Sequence, residues 1–219
     1  MHGVRANRLP MLQRALVLHR HGFGVLLFDL QAHGESASRH ITFGHLESLD
    51  AASAVAFGRA QLPGERIGVI GVSLGGAAAV LAPDGLNVDA IVLESAFSDI
   101  HSALADRLRA RLGPIAGPIL APVIAPLFEW IMAPVLGVGL DQLRPIDRIG
   151  GVRAPVLVAS GTVDAYTPIA KARDLFARAS APKQFWAVRG AAHVDLEAYD
   201  APAYWIRILP FFAAHLQTR

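Results

Sequence analysis

Cysteine is absent from all 219 residues of this chain, which excludes disulfides, zinc–thiolate sites and a thiolate nucleophile. Charge is sparse as well: Asp, Glu, Lys and Arg make up 17% of the residues, and the net charge is only +2. The positive charge is nearly all arginine, spread along the sequence instead of gathered into a basic stripe. Nucleic acid is therefore not an expected partner. Histidines and carboxylates do not cluster at metal-ligand spacing, so no metal is expected. A glycine-rich phosphate loop is also missing: Gly22-Phe23-Gly24 precedes an apolar run where a dinucleotide fingerprint would follow one. No cofactor is expected. No secretory leader is visible at the start, which points to the cytoplasm. Internal repeats and low-complexity tails are lacking too.

What the chain has is apolar alternation, with 53% hydrophobic residues and length enough for one domain with a sizeable core. Pro10 to Arg20 reads as a helix, with Pro in the first turn and Leu12, Leu16 and His19 on one face. Gly24–Leu30 reads as a strand and Leu46–Gln61 as a second helix, stopped by Pro63-Gly64. Strands are expected at Arg66–Ile70, Ala90–Leu93, Val156–Ser160 and Gln184–Val188, and a last helix near Ala203–Leu216. Strands alternating with helices predict an α/β fold: a mainly parallel sheet with helices on both faces. The expected core comprises residues 1–98 and 145–219.

Residues 99–144 break the alternation. Leu112 to Leu140 contains one charge, Glu129, and is long enough to suggest a membrane span. Yet Pro114, Pro118, Pro122 and Pro126 recur every four residues, and Pro134 follows. Each costs about 3 kcal/mol or more inside a helix, which argues against a straight spanning helix. The expectation is a lid of short helical pieces with an apolar underside. Membrane contact through this insert is the alternative.

The chemistry centres on Gly71-Val72-Ser73-Leu74-Gly75. It follows an apolar run and opens into Ala77-Ala78-Ala79-Val80-Leu81. Strand, sharp turn and helix with serine at the turn form a nucleophile elbow, although a serine there also serves as a plain helix cap. An elbow serine needs an acid and a base, in the order Ser, Asp/Glu, His. Asp164 follows the strand at Val156–Ser160, and His193 follows the strand at Gln184–Val188. Strand C-terminal ends are where ligands bind in open α/β sheets. Asp141, Asp147 and Asp195 are rival acids, but none directly follows an expected strand.

On these residues, with the loop His33-Gly34-Glu35-Ser36 and the segment His2-Gly3-Val4-Arg5-Ala6-Asn7, the chain resembles the α/β-hydrolase superfamily. It is most similar to small bacterial esterases and serine aminopeptidase-like hydrolases. The resemblance spans essentially the whole chain. It implies Ser73, Asp164 and His193 as a catalytic triad, and the N–H groups of Val4 and Leu74 as the oxyanion hole. One departure is large. In the family, His-Gly ends a central strand that lies between the strand at Gly24–Leu30 and the elbow strand, and two strands come earlier still. That implies either direct pairing of the two flanking strands or an N-terminal truncation, the latter through a misassigned start. Val4 is then expected to be loosely held, and the chain weak or inactive. The expected activity is hydrolysis of small-molecule carboxylic esters through an acyl-enzyme. Peptidase, thioesterase or acyltransferase chemistry is open within the same triad. A non-catalytic binding or membrane-peripheral module is the alternative outside it.

Overall fold

The computed structural model describes residues 1–217. Four parallel strands form the sheet: β1 (Gly68–Val72), β2 (Ala90–Glu94), β3 (Val156–Gly161) and β4 (Lys183–Val188), side by side in that order. The register sets Gly71 opposite Leu93, Leu93 opposite Val158, and Ala159 opposite Trp186. The α/β architecture with a mainly parallel sheet is as the sequence predicts.

Side chains alternate across a strand, so each face needs its own cover. One face presents Ile91, Leu93, Val156 and Val158 to Val55 of α2 (His45–Gln61), Val80 of α3 (Leu74–Leu81) and Leu175 of α6 (Ile169–Arg178). The other presents Val92, Leu157 and Trp186 to Leu18 of α1 (Leu12–Arg20) and to Tyr204, Ile208 and Phe212 of α8 (Ala201–Leu216). Burial on both faces explains why β2 and β3 are buried along their entire length.

Three expectations change. Helix α1 buries Arg14, Ala15 and Leu18, whereas Leu12, Leu16 and His19 are exposed. Gly24–Leu30 is not a strand: it carries no ladder pairing, and Val25 and Leu26 are exposed. Its last residue donates its backbone N–H to His2 Nε2 at 3.1 Å, so a side chain occupies the place of a neighbouring strand. Direct pairing with β1 does not occur. Met1 lies beside β1 instead, its backbone nitrogen donating to Ile70 O at 2.6 Å and its oxygen accepting from Val72 N–H at 3.0 Å.

The third change concerns the insert. Short pieces are replaced by α4 (Ile100–Leu136), broken at Gly113, where φ is 82°. The second half folds back on the first: a Cβ on Gly117 would sit 2.5 Å from Arg109 O, whereas eight residues of straight helix span about 12 Å. Gly117, Ala121 and Ala125, four apart, are buried on this seam. The second half stays helical through Pro118, Pro122, Pro126 and Pro134 because those prolines lie on the exposed side. Carbonyls that lose their usual donors there are not sealed in a core. That side also exposes Ile115, Ile119, Val123, Leu127 and Trp130. A smaller apolar cluster of Ile100, Leu136, Val138, Leu140 and Leu143 anchors both ends of α4 to the domain, and the short α5 (Pro145–Arg148) leads from there to β3.

Gly161, at the end of β3, lies against the loop after β4: a Cβ there would come within 2.2 Å of Ala191 O. Backbone cannot yield as a flexible side chain can. Gly161→Ala is expected to lower stability by about 1–3 kcal/mol, the usual cost of overpacking, read as a lower urea midpoint.

Candidate active site

The elbow is as tight as its glycines allow. A Cβ on Gly71 would lie 2.6 Å from Gly75 O and from Gly76 N, so the turn closes only without side chains at these points. Ser73 takes φ 49° and ψ −108°, a conformation few residues with side chains adopt. Its N–H donates to Glu94 O at 2.8 Å, at the end of β2, and its carbonyl accepts from Ala77 N–H at 3.1 Å. The side chain forms no capping bond to α3, which removes the plain cap as an account of this serine. Ser73 opens instead into a cavity of about 200 Å³, together with Val4 and Leu74.

Val4 is better fixed than the sequence suggests. Met1 is tied to β1 by two backbone hydrogen bonds. His2 is buried; its Nδ1 faces Gly3 O at 2.8 Å while Nε2 accepts from Leu30 N–H. Only the tautomer with hydrogen on Nδ1 satisfies both contacts. Burial keeps His2 below the usual histidine range. A turn from Gly3 to Ala6, with Ala6 N–H donating to Gly3 O at 3.3 Å, holds Val4 at its corner. Gly75 has no room for a Cβ because Met1 O and His2 O approach within 2.7 and 2.8 Å of that position. The His2-Gly3-Val4 segment thus packs directly on the elbow.

The structure brings Asp164 and His193 together. Asp164 Oδ1 accepts from the N–H groups of Tyr166 and Thr167 at 2.9 and 2.8 Å. Oδ2 accepts from Thr167 Oγ1 at 2.6 Å and faces His193 Nδ1 at 2.8 Å. Burial raises the Asp164 pKa, but hydrogen bonds from His193 and Thr167 outweigh it and hold the carboxyl below its usual range. An ionised Asp164 requires the proton on His193 Nδ1, which leaves Nε2 as the ring's proton acceptor. Among the described residues no hydrogen bond joins His193 to Ser73 Oγ; Thr167 and Tyr166, which touch His193, line the same cavity as Ser73. The rival acids have other partners: Asp147 pairs with Arg144 and Arg178, Asp141 with His101, and Asp195 with Arg14.

Sequence reasoning missed three contributors. Thr167 bridges Asp164 and His193, its Oγ1 also 3.2 Å from His193 Nδ1. Tyr166 stands edge-on to the His193 ring at 5.5 Å. Arg14, 2% exposed, binds Glu94 at 2.7 Å and Asp195 at 2.6 and 3.0 Å. Tyr204 joins this cluster through Glu94, and burial with that carboxylate pushes its phenol well above the usual range. Asp195 also caps α7 (Leu196–Tyr199) two residues beyond His193, so Arg14 ties the histidine loop to the end of β2. Asp29 does similar work nearby. It accepts from the N–H groups of Arg8 and Glu35 and from the Arg8 guanidinium, fixing the His33-Gly34-Glu35-Ser36 loop.

A serine elbow at the C-terminal edge of a parallel sheet, with an acid and a histidine on later strand ends, defines an α/β hydrolase, and the chain has that fold. It belongs to the family described as "Serine aminopeptidase, S33", which matches residues 1–134. It is 32% identical to the uncharacterized protein Rv2307c of Mycobacterium tuberculosis over 202 residues, covering 90% of this chain and 63% of that protein. The chain thus spans just under two thirds of this relative. Among solved structures, it is similar to the Pyrococcus furiosus esterase Pf2001, with TM-score 0.76 and 20% identity over 99% of this chain and 82% of the other. It is also similar to the Paleococcus ferrophilus monoacylglycerol lipase, with TM-score 0.64 and 23% identity over 94% and 91%.

Two measurements bear on this geometry. Arg14→Met leaves the Glu94 carboxylate buried without its cation and is expected to cost about 3–5 kcal/mol of stability, measured by chemical denaturation. His101, in the first half of α4, lies 2.9 Å from Glu129 in the second half and 3.3 Å from Asp141. Burial lowers its pKa, but the two carboxylates outweigh this and raise it. The stabilising contact is therefore complete below the ordinary histidine range and disappears as pH rises through the raised value. Hydrogen exchange in α4, corrected for its intrinsic pH dependence, should increase over that interval, and His101→Phe should abolish the increase.

Proposed function

We propose that the protein is a serine hydrolase of carboxylic esters acting through an acyl-enzyme. The observation that carries this reading is the orientation of His193 by an ionised Asp164, together with an uncapped Ser73 held at positive φ. His193 Nε2 takes the proton as Ser73 Oγ attacks the acyl carbon. Asp164 holds the imidazole and stabilises its charged form. The N–H groups of Val4 and Leu74 receive the oxyanion, Leu74 doing so from the first position of α3. The alcohol leaves with the proton from His193. Water, deprotonated by the same histidine, then releases the acid.

The cavity favours esters over peptides with a free amino end. An aminopeptidase site needs a carboxylate to receive the substrate ammonium. Among the described residues, the one carboxylate lining this cavity is Glu129, which His101 engages. The rest of the lining is mainly apolar, with Phe97, Ile100, Leu104, Phe128, Met132 and Leu140. It suits an alkyl or acyl chain. That the esterase and lipase above share the fold agrees with this reading.

The exposed side of α4 supports a second role beside catalysis, contact with a lipid surface. An 18-residue window of this helix has a mean hydropathy of 1.9 and only 17% of it is buried. Co-sedimentation with phosphatidylcholine vesicles, lost in Trp130→Ser/Ile119→Ser, is the expected sign of that contact.

Hydrolysis of p-nitrophenyl octanoate should fall by about 10⁶ in kcat for Ser73→Ala and proceed measurably in the unaltered chain. Labelling of Ser73 by a fluorophosphonate probe is expected in parallel. Equal ester hydrolysis by Ser73→Ala and the unaltered chain, with no labelling, would replace the catalytic reading by a non-catalytic binding module.

A further inference from the structure

The cavity at Ser73 has a neighbour. A second recess, of about 510 Å³, shares Val4, Phe43, Arg107 and Met132 with it. Three arginines line this recess, Arg5 and Arg39 joining Arg107, with Ser38 and His40 as its other polar residues, and among the described residues no carboxylate lines it. Its apolar wall is made by Ile41, Val135 and Leu136. The two spaces thus meet beside the elbow, one oily and the other positively charged.

Six arginines of this chain, Arg8, Arg14, Arg59, Arg109, Arg144 and Arg178, sit in ion pairs. Arg107 belongs to the larger group that, among the described residues, does not, and differs from the exposed members of that group in its burial. Its guanidinium lies over the Tyr166 ring, 5.1 Å from the centroid, and is half-buried. Burial pushes its pKa below the ordinary value, and Arg5 and Arg111 add repulsion against the opposing pull of Tyr166 and Asp164. Arginine stays charged under such pressure. A half-buried cation crowded by two others is relieved by an anion, and guanidinium groups match phosphate and carboxylate in geometry.

Resting on the ester-hydrolase reading above, we propose that the substrate is an anionic amphiphile. Its apolar chain fills the cavity at Ser73, and its phosphate or carboxylate group is held in the second recess by Arg107, Arg5 and Arg39. Arg107, on the shared wall, sets the distance between the ester and the anion and is the specificity-determining residue. Val4 separates the two spaces from the other side, so the scissile carbonyl lies where they meet. The chemistry at Ser73 is unchanged; the recess selects which esters reach it.

Calorimetric titration of the protein with octyl phosphate and with 1-octanol, both below micelle formation and at low salt, tests this without turnover. Octyl phosphate should bind at least about tenfold more tightly, as charge-assisted hydrogen bonds are roughly twice as strong as neutral ones. Arg107→Gln should remove that preference while changing octanol binding less than about twofold. Arg39→Gln and Arg5→Gln, at exposed positions, should each reduce it and serve if Arg107→Gln fails to fold. Equal affinity for the two ligands, or arginine variants that weaken both alike, overturns the proposal. Inorganic phosphate binding as tightly as octyl phosphate also overturns it, since the recess would then be a bare anion site. Octanoyl esters of glycerol and of glycerol 3-phosphate extend the test to catalysis, with a lower KM expected for the phosphate ester that rises in Arg107→Gln. Octyl phosphate binding as described, without fluorophosphonate labelling of Ser73, would sink the ester-hydrolase reading and leave the anion recess standing.

Discussion

The rest of the site depends on one backbone constraint, the forced turn at Ser73. A residue with a side chain holds φ 49° together with ψ −108° only when its surroundings over-determine it. Here they come from three directions. Glycines on either side let the strand end and the helix start almost touch. The carbonyl at the end of β2 takes the serine N–H. The backbone of Met1 and His2 closes over Gly75. Relaxing any of these would swing the hydroxyl away from the cavity into which Val4 and Leu74 also face.

The histidine side is held by different means. A loop cannot bury its polar groups as a strand does, so its position must come from side chains. Asp164 takes backbone N–H groups from its own loop and faces His193 across to the next one. Arg14 reaches in from α1 and holds Asp195, just beyond His193, to the end of β2. The same strand end therefore supports both the serine turn and the histidine loop. Tyr204, reaching from α8 on the same face as α1, completes the buried cluster. The two halves of the site are joined through Glu94 and its neighbours.

Much of this was legible in the sequence, for stated reasons. Local signals carried the elbow: glycines at fixed offsets around a serine, between an apolar run and a small-residue helix. The order of Asp164 and His193 after two strands was equally readable: the fully buried β3 leaves an unbroken apolar run, and β4 a shorter one around Trp186. Tertiary context decided the rest. Gly24–Leu30 has a strand's composition, but a strand exists only with a backbone partner, and His2 supplies a side chain instead. Helix α1 turns an arginine inward because two carboxylates from distant parts of the chain await it, which no periodicity rule detects. The repeated prolines count against a helix in its interior, yet at a spacing of four they gather on one side, where the lost donors matter least.

That row of prolines gives the outer side of α4 a mixed character. Its side chains are oily, but the carbonyls one turn before Pro118, Pro122, Pro126 and Pro134 have lost their helical donors. Bare hydrocarbon has none to offer, and an unsatisfied group costs several kcal/mol in such a medium. The surface that fits this face must therefore be apolar and also rich in hydrogen-bond donors. Water-laden headgroups or the amides of another protein meet that requirement, and the middle of a bilayer does not.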